Sequence, residues 1–263
     1  MSKIVNKAIL VVGHSHLGAF RRSFEKFYAR GPEAAPFRCT FLRLLDDMFQ
    51  PNIVSENGVK KLHELIPKKF KALVDRDKPD VVVSCAMGNE QNFLALINHP
   101  RRFDFYLPQR PDLPTDESAE VLPVALVEDL LRARLKKLSL YLSVFSPLSN
   151  GRMIHVPPPP PIAPVSHIEA YPALFEKRLQ NRAVSPAPFR LKMWLLTCEI
   201  QRQLCKDMGV VHCRLPDAVF DADGFLAPPY WKKDPTHGNA SYGKLILDDI
   251  SRTSFSPALV MAE

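Results

Sequence analysis

The chain lacks most of the features that assign a protein quickly. Its 263 residues hold no repeat of fixed period and no long disordered tract. The five cysteines, Cys39, Cys85, Cys198, Cys205 and Cys213, are odd in number and form no CxxC pair. That pattern argues against a disulfide framework and against a zinc knuckle. Most of them sit beside apolar residues and read as buried thiols. The apolar run Ala8 to Val12 is too short for a signal-peptide core and far short of the roughly 20 residues of a membrane helix. A reduced, cytoplasmic protein with no membrane span is therefore expected. The net charge is +7, but no nucleic-acid signature accompanies it. Basic residues are scattered in short groups such as Arg21/Arg22, Lys60/Lys61 and Arg132 to Lys137, which read as solvated faces.

What is present is an ordinary globular composition. Hydrophobic residues make up 46% and charged residues 24%, enough for a substantial core. Residues 7–13 form a continuous apolar run ending at Gly13, the pattern of a strand covered on both faces. A helix is expected over 17–29, a strand over 37–45 and a lysine-rich amphipathic helix over 59–76. A third strand follows at 81–86 and a short helix at 91–97. Residues 99–123 are rich in proline and charge and read as an irregular excursion; a long helix is expected over 124–148. A fourth strand, 151–156, stops at five prolines. A helix over 189–208, a short strand at 209–215 and a last helix over 241–250 complete the series. Such alternation predicts a parallel sheet with helices on both faces. Ligands of these sheets bind beyond the carboxyl ends of the strands. Both Gly13 to His16 and Gly88 to Glu90 fall at such ends.

Two short motifs carry the chemistry. Gly13-His14-Ser15-His16 follows the first strand, and Asp234-Pro235-Thr236-His237 precedes the last helix. Together they supply a hydroxyl, an imidazole and a carboxylate. A serine hydroxyl is a weak nucleophile until a base accepts its proton and a third group orients that base. An Asp-x-x-His pair fits one tight loop, so both groups can reach Ser15 from one side. Taken alone, Ser15 reads better as a turn serine that caps the following helix; Asp234 and His237 tip the reading toward a nucleophile.

In order and spacing these blocks resemble the SGNH/GDSL hydrolase superfamily. Gly13-His14-Ser15 corresponds to the Gly-Asp-Ser block, with His14 in place of aspartate. Met87-Gly88-Asn89-Glu90 is similar to the Gly-x-Asn-Asp block, with its first glycine lost and Glu90 as its acid. Asp234-Pro235-Thr236-His237 matches the Asp-x-x-His block unchanged. The resemblance implies a flavodoxin-like α/β/α sandwich with a five-stranded parallel sheet. It implies one domain over 1–263, with a surface insertion around 99–148. It further implies a carboxylic ester hydrolase without cofactor or metal. Ser15 would attack, His237 would accept the proton and Asp234 would hold the imidazole. The backbone of Ser15 and Gly58 and the amide of Asn89 would form the oxyanion hole; Gly58 is the one glycine between Gly31 and Gly88. His14, Glu90 and Trp231 are candidates for binding a small or carbohydrate-like ester. Two other readings stay open: a metal-dependent hydrolase gripping an ion with His14 and His16, and a non-catalytic binding module.

Overall fold

Alternation within the first strand determines how the layers stack. A computed structural model of the protein describes residues 7–29, 37–87 and 90–255. Strand β1, Lys7–Gly13, is followed by helix α1, Leu17–Ser23, and a π-helical turn, Phe24–Tyr28. Strand β2, Phe37–Arg43, runs parallel to β1. Next comes an antiparallel hairpin of β3, Ile53–Glu56, and β4, Val59–Leu62, and then helix α2, Leu65–Asp77. Strand β5, Val81–Cys85, and the one-turn helix α3, Asn92–Ala95, lead to two short paired strands, β6 at Phe103–Asp104 and β7 at Glu120–Val121. Helix α4, Val124–Leu148, precedes β8, Met153–His155. Two short helices, α5 at Val165–Ala170 and α6 at Glu176–Leu179, lead to α7, Ala187–Asp207. Strand β9, Val211–His212, and helix α8, Ala240–Phe255, end the series.

The main sheet has the order β2-β1-β5-β8-β9, and every neighbouring pair is parallel. Successive strand side chains point to opposite faces. Leu10, Val12 and Val82 therefore enter a core with Phe70 of α2, Leu131 and Phe145 of α4 and Met193 and Ile200 of α7. Ile9, Val11, Val81 and Val83 enter the other, with Leu17 and Phe20 of α1 and Ile246, Leu247 and Ile250 of α8. This is the expected five-stranded α/β/α sandwich. Among the described residues, no helix is long and apolar enough to cross a membrane.

Three expectations need correction. Residues 59–62 are strand, not the start of a helix, because Asn57 and Gly58 both have positive φ (50° and 78°) and close a hairpin. Paired positive φ values are the two-residue hairpin turn that an Asn-Gly dipeptide favours. The fifth strand is only two residues long. The segment 99–148 is not a surface insertion throughout. Residues 124–148 form a layer helix that buries Val127, Leu131, Leu135, Leu138, Tyr141, Leu142 and Phe145 at helical spacing. Even the excursion before it is anchored, since buried Asp104 meets the buried Lys192 ammonium of α7 at 2.6 Å. That ammonium also donates to the carbonyls of Phe105 and Pro114.

Helices α1 and α8 pack side by side on one face. A Cβ on Gly243 would lie 2.4 Å from the carbonyl oxygen of Ala19, so only glycine permits this approach. The contact matters because Ser15 precedes α1 and His237 precedes α8.

Candidate active site

Ser15 sits just beyond the carboxyl end of β1, where the chain leaves the sheet for α1. Gly13 is required there: a Cβ would lie 2.4 Å from the Cys85 Sγ on the neighbouring strand. The Asp234 to His237 loop reaches the same rim from the opposite end of the chain. Asn239 anchors it. Its Oδ1 accepts the N–H groups of Ser241 and Tyr242, capping α8, while its Nδ2 donates to the carbonyls of Pro229 and Trp231.

The three groups form a continuous chain of hydrogen bonds. Ser15 Oγ lies 2.7 Å from His237 Nε2, across 222 positions of sequence. His237 Nδ1 lies 2.7 Å from Asp234 Oδ1. With Nδ1 donating to the carboxylate, Nε2 is free to accept the serine proton. The same carboxylate oxygen accepts the backbone N–H groups of Thr236 (2.8 Å) and His237 (3.0 Å) and the Thr236 hydroxyl (3.2 Å). Burial pushes the Asp234 carboxyl up. The hydrogen bond and charge of His237, the Thr236 N–H and the nearby Lys232 ammonium outweigh it and hold the group well below the usual carboxylate range. Asp234 is thus an anion through the neutral range, suited to orient an imidazole and to stabilise its protonated form.

No family model matches the sequence, and no curated protein matches it. Solved structures do. The periplasmic domain of a Salmonella Paratyphi A lipopolysaccharide acetyltransferase superposes with a TM-score of 0.51 at 10% identity, covering 97% of this chain and 85% of that one. A GDSL-like lipase from Bacteroides thetaiotaomicron gives 0.43 at 14% identity, with coverages of 96% and 89%. An acetyl-xylooligosaccharide esterase from Geobacillus gives 0.39 at 14% identity, with 95% and 94%. The likeness to the first of these is one of fold, a five-stranded parallel sheet with helices on both faces.

On this scaffold the remaining candidates separate. Glu90 lines a cavity of about 850 Å³ that also exposes Ser15 and His237. Gly88 and Asn89 lie outside the described residues. Gly58 does not reach the site: it is exposed at the hairpin tip and does not line the cavity. The glycine there serves the turn, which is why scarcity of glycine was a poor guide to an oxyanion donor.

His14 borders the cavity, but both ring nitrogens are engaged with the protein. Nδ1 accepts the Met87 N–H at 3.1 Å, and Nε2 lies 3.3 Å from the Tyr141 hydroxyl. Burial lowers its pKa to about 4, with the Asn52 side chain, as acceptor for the protonated ring, opposing the shift and the Lys137 charge adding to it. A neutral His14 therefore braces the loop after β5, where Met87 adopts a positive φ of 54°, rather than offering a nitrogen to substrate. His16 is buried with its ring 4.6 Å from that of His237. Burial and the neighbouring His237 charge hold it neutral. No group of three metal-ligating side chains converges among the described residues, so the geometry offers the His14/His16 metal reading no ligand set.

Trp231 is engaged with the protein. Its indole N–H donates to the Leu226 carbonyl at 2.6 Å, its ring packs on His167, and it does not line the cavity. It braces the Asp234 loop instead. The sequence gives no part in the site to Thr236, within the Asp-x-x-His block, to Asn239, at the entrance to the last helix, or to Tyr141. Asn239 had a legible signal, an asparagine immediately before a helix; Tyr141 had none beyond helical spacing.

Proposed function

We propose that this protein is a serine esterase of the SGNH type, acting as one domain on carboxylic esters of a small or carbohydrate-like molecule. The observation that carries the reading is the unbroken relay from Ser15 Oγ through the His237 ring to Asp234, with 2.7 Å at both links. Those lengths are within the reach of a working nucleophile and base.

In this reading Ser15 Oγ bonds to the acyl carbon as its proton passes to His237 Nε2. The carbonyl oxygen becomes an oxyanion, for which the Ser15 N–H and the Asn89 amide are the proposed donors. One such donor is typically worth about 3 kcal/mol of the barrier. The bond to the alcohol oxygen then breaks, and His237 returns its proton to that oxygen. A water molecule, deprotonated by His237, attacks the acyl-serine and releases the acid and free Ser15. Asp234 remains an anion throughout and balances the imidazolium. The five unpaired thiols suit a reducing compartment such as the cytoplasm.

The test is covalent labelling with a fluorophosphonate together with p-nitrophenyl acetate hydrolysis. Wild type should label at Ser15 and turn over, and Ser15→Ala should do neither. Folded wild type that neither labels nor hydrolyses, or a Ser15→Ala variant as active as wild type, would end this reading.

A further inference from the structure

The cavity beside Ser15 has two chemically distinct walls. Four cations border it: Lys60 on β4, and Arg134, Lys136 and Lys137 on α4. The two elements pack together, so the cations belong to one wall. Ala133, Lys136, Lys137 and Leu140 recur at helical spacing, so one face of α4 is turned to the cavity while the opposite face fills the core. Neighbouring cations on the same elements are neutralised: Lys61 pairs with Glu56, and Arg132 with Glu128. Among the described residues, the four that border the cavity form no ion pair. Lys137 is close enough for its charge to depress the pKa of His14, directly beside Ser15. Glu90 also lines the cavity, so four cations face one carboxylate and the excess is positive, which concentrates anions in the cleft.

The other wall is apolar. Phe175 is buried, with its ring 5.7 Å from that of Phe93 on α3. Phe93 is 51% exposed and Leu174 85% exposed, and both border the cavity. Large apolar side chains held open beside a candidate nucleophile are a surface for an acyl chain longer than acetyl.

We propose that the substrate is an ester with two marked ends: an apolar acyl chain lying on Phe93, Leu174 and Phe175, and an alcohol portion bearing a phosphate or similar anionic group held by Lys60, Arg134, Lys136 and Lys137. This rests on the esterase reading of Ser15 and narrows it. Ser15 borders the same cavity as both groups of residues, so one molecule can reach from one group to the other.

The test compares decanoylglycerol with decanoylglycerol phosphate, identical at the ester, both below micelle-forming concentration. Wild type should favour the phosphate ester in kcat/KM by about tenfold or more, the size expected of hydrogen bonds to a charged group. That preference should shrink with added salt. In Arg134→Glu/Lys136→Glu/Lys137→Glu the ratio should fall to one or below. If that variant does not fold, Lys136→Gln/Lys137→Gln should reduce the ratio in the same direction. An absent preference, or one that survives both variants, overturns the proposal. Calorimetry with decyl phosphate and decyl maltoside on Ser15→Ala separates this from the hydrolase reading. Decyl phosphate should bind tighter, and the charge-reversed variant should lose that advantage. Such binding with no ester hydrolysed by wild type would sink the esterase and keep the anionic subsite. Equal binding of the two amphiphiles would sink the subsite.

Discussion

The two sides of the cavity are built in opposite ways. On the Asp234 side nearly every polar atom is committed: one carboxylate oxygen collects four hydrogen-bond donors, and Asn239 ties the loop to α8 with four more bonds. On the α4 side the four long cations are exposed and, among the described residues, form no ion pair. Fixed geometry suits the groups that must exchange a proton within hydrogen-bond reach. Adaptable side chains suit the groups that need only attract and cover. Rigidity here is local, set by how many bonds converge on one loop, and is not a property of the whole rim.

Substitutions can break this contrast, beginning with the committed side. Ser15→Ala and His237→Ala should each lower kcat about 10⁴- to 10⁶-fold, since members of a relay act as a unit; single-turnover hydrolysis of p-nitrophenyl acetate reads this. Asp234→Asn should cost about 10³- to 10⁴-fold, because a neutral amide no longer enforces the tautomer or balances the imidazolium. Gly243→Val should push α1 from α8. A loss of about 1–3 kcal/mol in urea unfolding is expected, with kcat falling further than stability alone explains because Ser15 and His237 separate.

Acid should act through buried imidazoles. The folded pKa of His14 lies near 4 and that of His155 near 3, both lowered by burial, while the unfolded chain keeps the ordinary value near 6.5. Below about pH 6.5 the unfolded state binds protons that the folded state refuses. Stability contributed by these groups is therefore complete above pH 6.5 and lost as the pH falls toward 4, by roughly 1–3 kcal/mol per histidine. The midpoint of urea unfolding across that range checks the sign, and His155→Asn should flatten the slope. The smallest effect is expected at Trp231→Phe. It removes the bond to Leu226 and should cost about 1 kcal/mol of stability, with KM unchanged within twofold in the same ester assay.

Much of this was legible in the residues. Continuous apolar strands separated by amphipathic helices predict the parallel sheet, and Asp234 and His237 fall where a short loop permits them to act together. The expectations that failed did so where one residue type serves several purposes. Gly58 answers a hairpin that the Asn57-Gly58 pair announces, and Val59 to Leu62 follow it into a strand. Trp231 and His14 are aromatic groups near the candidate relay whose polar atoms meet backbone and Tyr141 partners that no local pattern reveals. The cationic wall was equally invisible: Lys60 and Lys137 come together only when the hairpin packs on α4.

The 222-residue separation of Ser15 from His237 has a consequence during synthesis. A growing chain carries the Ser15 hydroxyl 222 residues before it acquires the His237 imidazole. The proposed relay can therefore close only after the following helix has emerged and docked beside α1. The onset of esterase activity, if Ser15 is the nucleophile proposed above, would report that docking.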